Sequence, residues 1–225
     1  MNYGMPESGS RHQILDAAER LFARQGFART TIKQIGDEAH VNSALLYYYF
    51  GDKERLYHQV LGRVVQRLLS GPGARLQGRG TPVERLRAFV EAQAELLLAY
   101  PMIPKLLVRE LIDHDAAHAV EQIQLVAGTA FKRLCDLIAA GQAEGTFRPE
   151  LDSRFAAISV LAQVAYFFIA RPAVRLLLGY GAEGPTPELV RAYARHAADF
   201  AVAALRRPRS PRRPASRNAR ARGSR

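Results

Sequence analysis

The sequence predicts an all-α protein of about nine helices, on three observations. Apolar residues recur at helical spacing in almost every segment, the breaks between segments are glycines, prolines and capping residues, and no period-two alternation bounded by turns occurs. With 225 residues and 48% apolar content the chain can bury a sizeable core as one large or two small domains.

The elements follow in order. Ile14, Leu15, Ala18, Leu21 and Phe22 trace one buried helical face, and Gly26 suits the left-handed position that closes the helix, with Phe27 packing back on Phe22. Thr31 is a good N-cap for a second helix, and Gln34 three residues on completes a capping box; Ile32, Ile35 and Ala39 form its apolar face. After a break at His40-Val41, Asn42 can cap a third helix running to about Tyr49. Gly51 interrupts, Asp52 caps a fourth, and Leu56, Val60, Val64 and Leu68 carry it to about Leu69. The glycines and prolines of SGPGARLQGRGTP, Ser70 to Pro82, predict a loop. Helical periodicity resumes from Val83 to Tyr100, where Pro101 stops it. A shorter helix is expected after Pro104, a longer one from about Ala116 to Glu144 closed by Gly145, and another from Phe155 to Ala170. A connection from Gly179 to Pro187 then leads to a last helix ending near Leu205.

Composition narrows the class. The single cysteine, Cys135, excludes an intramolecular disulfide framework and a thiolate-rich zinc site, and lies on the apolar stripe of Phe131, Leu134 and Ile138. MNYGMPESGSR lacks an apolar h-region, so no signal peptide is expected, and the apolar run Phe155 to Ala170 is shorter than the ~20 residues that span a bilayer. The expected location is the cytoplasm. The formal charge of +11 is concentrated: Arg206 to Arg225 carries nine arginines and no acid, leaving 32 − 9 = 23 basic against 21 acidic residues before it. That tail, rich in Arg, Pro and Ser, is expected to be disordered and available as a sequence-independent phosphate contact. The divisions expected are a head over 1–57, a body over 58–205 and the tail over 206–225.

Two helices joined by a short turn behind a supporting first helix have the dimensions of a helix-turn-helix. The third helix contains LLYYYFGDK, and successive residues on a helix point about 100° apart, so Tyr47, Tyr48 and Tyr49 cannot all face one core. An exposed tyrosine can donate its hydroxyl to a phosphate oxygen, whereas Phe50, four residues after Leu46, should be the core member.

TTIKQIGDEAHVNSALLYYYFGDKERLY closely resembles the DNA-binding segment of TetR-type transcriptional regulators, through Thr30, Thr31, Ile35, Ala39, Val41, Leu46, Tyr47, Phe50 and Lys53. The likeness covers Ile14 to about Val60; Gly36 departs from it, standing where alanine is usual, at a cost of up to ~1 kcal/mol in helix propensity. The resemblance implies that Thr31 gives its hydroxyl and amide to phosphate, that Lys53 does so with its charge, and that Tyr47 and Tyr48 press on the sugar-phosphate backbone. Lys33 is a further phosphate candidate. Asn42, Ser43, Ala44 and Leu45 would face base edges in the major groove. The structural alternative for each is that Thr31 and Asn42 only cap and the tyrosines only pack. From Met1 to Tyr57 seven basic residues face seven acidic ones, so affinity would come from charge placement and helix termini.

In the body, Arg154 to Ala170 is apolar nearly all round and needs burial on every side. Together with a last-helix stripe of Leu189, Tyr193, Ala197, Phe200 and Ala204, it predicts a two-fold homodimer interface, which the resemblance also implies. Arg109, Glu110, Gln163 and Tyr166, polar groups in apolar helices, are the candidate contacts for a small-molecule effector. Glu110, His114 and His118 have i, i+4, i+8 spacing, but the break expected near Asp113 to Ala116 removes the geometry, so no metal site is expected. The sequence offers no metal cluster, nucleophile elbow or glycine-rich phosphate loop, so no enzyme and no cofactor are expected. The expected function is that of a ligand-responsive regulator, a repressor, binding a palindromic operator in double-stranded DNA as a dimer, with the fourth helix as the lever between body and head. The rival expectation is a sequence-indifferent DNA-coating protein acting through the basic tail.

Overall fold

The computed structural model describes residues 7–207; the tail beyond Arg207, whose disorder and phosphate contacts the sequence suggested, lies outside the described residues. The described chain is all-helical, its one β feature an isolated antiparallel bridge between Phe147 and Arg206. Helix α1 (Glu7–Arg29) packs on α2 (Ile32–Ala39), α2 packs in turn on α3 (Ser43–Phe50), and α4 (Lys53–Ser70), packed on α1, runs from this head into the body. Ile14, Phe22, Ile35, Leu46 and Phe50 share one apolar core with Leu56, Tyr57 and Val60 of α4.

The local signals act where the sequence put them. Thr31 and Gln34 form a reciprocal capping box, Asn42 and Asp52 cap α3 and α4, and His40, at φ 55°, makes the left-handed end of α2. The buried Gly36 of α2 has a packing reason. A Cβ there would lie 3.0 Å from the Val41 carbonyl and 3.4 Å from Ser43 Oγ, so glycine lets the turn and the start of α3 close on α2. Gly26 differs in detail: at φ 82° and ψ 170° it takes a positive-φ conformation open to glycine but outside the left-handed helical well, so the chain kinks and adds another helical turn to Arg29. Phe27 still packs on Phe22, ring centroids 6.0 Å apart.

In the body, α5 (Pro72–Arg75) adds one helical turn inside the segment read as loop, with proline at its first position. Helix α6 (Pro82–Ala99) packs most extensively against α12 (Pro187–Leu205). Helix α7 (Met102–His114) begins two residues before Pro104, which the first turn tolerates because its missing N–H had no acceptor there. After a turn come α8 (Val120–Val126), a single π turn and α9 (Lys132–Ala143), closed by Gly145. Gly141 of α9 leaves room for the Phe147 ring, 2.3 Å from where a Cβ would stand. Helix α10 (Ser153–Ile169) is followed, across an 80° bend, by α11 (Arg171–Leu178), which the sequence reading left unassigned. Among the described residues no single helix is long and apolar enough to cross a membrane.

The chain by itself does not bury α10 on every side. Ala157, Val160, Val164 and Phe167 face inward, while Phe155, Ile158, Tyr166 and Ile169 stay exposed. On α12, Tyr193 stacks on Phe167 at 4.2 Å and Ala197 turns inward, but Phe200 and Ala204 are exposed. Cys135 is half-buried, and burial pushes its thiol pKa up.

Candidate nucleic-acid interface

Helix α3 divides its aromatic residues by direction. Leu46 and Phe50, one turn apart, are buried at 1% and 5% exposure, whereas Tyr47 is 55% and Tyr48 74% exposed. Tyr49 is intermediate, its ring edge-on to Tyr48 at 5.2 Å and to Phe50 at 6.2 Å. The helix therefore offers two amphipathic rings to the outside while anchoring itself through the next positions.

At the leading edge of α3, Asn42 is exposed and its Oδ1 accepts the Ala44 N–H at 2.9 Å, a bond that does not use the carboxamide NH2. Ala44 is exposed too. Ser43 is half-buried beside Gly36, and Leu45 is half-buried against the head core, so less of either reaches the surface than the spacing suggested.

At the start of α2, Thr31 is engaged in its own helix cap. Its amide donates to Gln34 Oε1 at 2.9 Å and its hydroxyl lies 3.2 Å from the same oxygen, so both groups serve the capping box. The N–H groups free of intrahelical acceptors are those of Ile32 and Lys33, at the positive end of the helix dipole. Such an end binds anions, and the exposed Lys33 side chain adds charge there.

Lys53 reaches the same place from α4. Its Nζ donates to the carbonyls of Phe27 and Thr30, both at 3.1 Å, and sits 4.3 Å from the Phe27 ring centroid. It therefore closes the frayed end of α1 and lies beside Thr31. Two of its three N–H donors are used, and one remains. The other cations of the head are largely committed. Arg20 and Arg24 both hold Glu38, at 2.9 and 2.8 Å, and Arg20 foremost lowers the Glu38 pKa; Arg55 pairs with Asp52.

The four effector candidates do not converge. Arg109 donates to the carbonyls of Ala23 and Arg24 at 3.2 and 2.7 Å, capping α1 from the body. Glu110, 1% exposed, accepts the Tyr57 hydroxyl of α4 at 2.8 Å and the backbone N–H of His118 at 2.8 Å. These two residues tie head to body because α7 packs on α1 and brings Glu110 to the Tyr57 hydroxyl of α4, a tertiary fact that an apolar helix pattern does not disclose. Gln163 borders a separate groove between α10 and α12, and Tyr166 is on the exposed face of α10. The sequence reading also missed Tyr57 as a polar link, since nothing near it in the chain signals a partner 53 residues away; burial and then Glu110 push its pKa far up.

Comparison with known proteins agrees with this architecture. The profile described as bacterial regulatory proteins, tetR family, matches residues 14–60, and the one described as tetracyclin repressor-like, C-terminal domain, matches residues 82–200. The chain belongs to the TetR family of transcriptional regulators. The transcriptional repressor NicS of Pseudomonas putida is 30% identical over 161 residues, covering 71% of this chain and 75% of that protein. HbdR of an Aromatoleum species is 41% identical over 98 residues, 40% of this chain and 43% of the regulator. Among solved structures, PfmR of Thermus thermophilus superposes with a TM-score of 0.68 at 24% identity, over 86% of this chain and 99% of that one, and so attests the fold.

Proposed function

We propose that this regulator is an effector-responsive repressor that binds a palindromic operator as a homodimer. The head, residues 1–57, supplies the DNA contacts; the body, 58–205, supplies dimerisation and effector response; and the arginine-rich tail, 206–225, adds phosphate affinity. The observation that carries the DNA reading is the exposed Tyr47–Tyr48 pair on a helix whose neighbouring positions, Leu46 and Phe50, are locked in the core. Tyr47 and Tyr48 would meet the sugar-phosphate backbone. Lys33, the α2 amides beside Thr31 and the spare donor of Lys53 would meet one phosphate region, while Asn42, Ser43 and Ala44, with Leu45 in part, would face base edges.

Dimerisation is supported by the uncovered apolar faces of α10 and α12, where Phe155, Ile158, Ile169 and Phe200 remain exposed. Two heads would then address half-sites about 34–36 Å apart, or a larger spacing in wider operators. Repression follows the relatives named as repressors, NicS of P. putida and KstR2 of Mycolicibacterium smegmatis. Effector response rests on the ties between head and body: an effector that moved α7 would carry Arg109 and Glu110, and with them α1 and α4. Such an effector needs affinities for the two states that differ by ~1–3 kcal/mol.

Binding-site selection from random duplex DNA, at near-physiological salt and with and without residues 206–225, tests this. One palindrome recovered by both forms is expected, and Tyr47→Ala should weaken binding to it by roughly tenfold, the loss of about one charge-assisted hydrogen bond, while the dimer persists in sedimentation. No consensus, with binding lost on truncation, would refute the reading in favour of the tail acting alone.

A further inference from the structure

The turn between α7 and α8 brings together residues that the sequence had separated. Glu110 and His114 are one turn apart on α7; Asp115 and Ala116 then take left-handed conformations, φ 48° and 62°, and fold His118 back over the end of the helix. The expected helix break is present, but it gathers the three side chains: one ligand atom from each lies within 4.8 Å of the others. We propose that Glu110, His114 and His118 form a binding site for a divalent transition ion of the zinc class.

Three further observations support the proposal. First, Glu110 is a carboxylate with 1% exposure whose only ion-pair partner among the described residues is His118 Nδ1, at 3.4 Å. A buried carboxylate is expected to be paired with a fixed cation or bound to a metal, and no arginine or lysine supplies that charge here. Second, His114 Nε2 is buried without a hydrogen-bond partner among the described residues. An imidazole nitrogen shut off from water in this way is a ligand atom in want of an acceptor or an ion. Third, the carboxylate is already oriented. The Tyr57 hydroxyl and the His118 N–H each hold one of its oxygens at 2.8 Å, as outer hydrogen bonds hold metal ligands; Oε1 keeps a second lone pair for an ion, and Oε2 faces His118 Nδ1, itself a ligand atom, at 3.4 Å.

The donor set selects the class of ion. Two imidazoles and one carboxylate suit zinc and its first-row neighbours, whereas magnesium and calcium take oxygen ligands. Bonds of ~2.1 Å at tetrahedral angles place ligand atoms ~3.4 Å apart, so rotation of the two rings, whose centroids are 4.7 Å apart, would close the site. The Phe27 ring, 4.8 Å from that of His118, covers one side, and water would complete the coordination.

Untagged full-length protein, stripped with EDTA and dialysed against Zn2+ or Mg2+, tests the site by metal content and by competition with a chromogenic chelator. One zinc per chain is expected, with no stoichiometric magnesium. Tyr57→Phe should weaken zinc binding by about 10–100-fold as an outer-sphere loss, His114→Ala and His118→Ala should weaken it more, and His196→Ala, far along the chain on α12, should not. X-ray absorption on the zinc-loaded wild type should show two imidazoles per zinc, a readout independent of whether any variant folds. Absence of stoichiometric zinc, unchanged affinity in His114→Ala and His118→Ala, or a zinc without two imidazoles would overturn the proposal.

Discussion

Tyr57→Phe isolates one buried hydrogen bond between head and body. Tyr57 is 1% exposed, and its ring packs on Phe22 at 4.8 Å, Phe27 at 5.0 Å and His118 at 5.4 Å, contacts that phenylalanine keeps. Only the hydroxyl, 2.8 Å from Glu110 Oε2, is lost. A hydrogen bond to a charged acceptor contributes ~1.5–3 kcal/mol, and the buried carboxylate has no water to replace it. At ~2–4 °C per kcal/mol for a chain of this size, the melting temperature should fall by roughly 3–12 °C. The assay is thermal unfolding followed by circular dichroism on metal-stripped protein, at one fixed protein concentration because a dimer's midpoint depends on it. Glu110→Gln, alone and combined with Tyr57→Phe, completes a cycle in which the two losses should be strongly non-additive. A fall below ~0.5 kcal/mol with additive effects would show that the hydroxyl does not donate to Glu110, and the polar link from α4 to α7 would be refuted.

Other outcomes follow from the same contacts. Phe50→Ala empties a site that is 5% exposed and should cost about 3–5 kcal/mol, melting the head before the body in hydrogen exchange, whereas Tyr48→Ala, at 74% exposure, should change stability by less than ~0.5 kcal/mol. The Asp152 carboxyl, held down to about 2 by the Arg154 guanidinium and then by the Arg154 N–H, has a folded pKa below that of the unfolded chain. Its contribution to stability is thus complete above about pH 4 and is lost as pH falls toward 2; an NMR titration should show that midpoint, and Arg154→Ala should raise it. At the alkaline end the raised Tyr57 pKa works in the opposite sense: its contribution is whole below about pH 10 and declines above it, so Tyr57→Phe should flatten the alkaline limb of the stability profile.

The features legible in the sequence are those fixed within a turn or two of the chain. The Thr31–Gln34 capping box, the Asn42 and Asp52 caps, the end of α9 at Gly145 and the inward pair Leu46 and Phe50 depend on residues three or four apart, which backbone geometry brings together whatever the rest of the molecule does. The aromatic row could be split for the same reason, Phe50 inward and at least one tyrosine outward, and the helix-turn-helix resemblance rests on that spacing. Helix α11 went unread because Pro172 and the glycines after it look like a connection, although proline at the start of a helix is compatible with one.

The partners of long polar side chains were settled by tertiary structure alone. Lys53 reaches carbonyls 26 and 23 residues away, Arg109 reaches the Arg24 carbonyl 85 residues earlier, and Glu110 receives a hydroxyl from 53 residues back. None of these pairings follows from periodicity, which reports the face a residue occupies and not the element opposite it. The turn after His114 shows the limit most clearly. Spacing alone dismissed Glu110, His114 and His118 because the helix was expected to break, yet the direction of the break, set by two left-handed residues and by the Glu110 carboxylate accepting the His118 N–H, folds the three onto one another. Local sequence thus determined the caps and the core-facing pattern of the head helices, which depend on residues within a turn or two, while the packing of α7 on α1, with Glu110 reaching Tyr57 of α4, decided which buried polar groups meet.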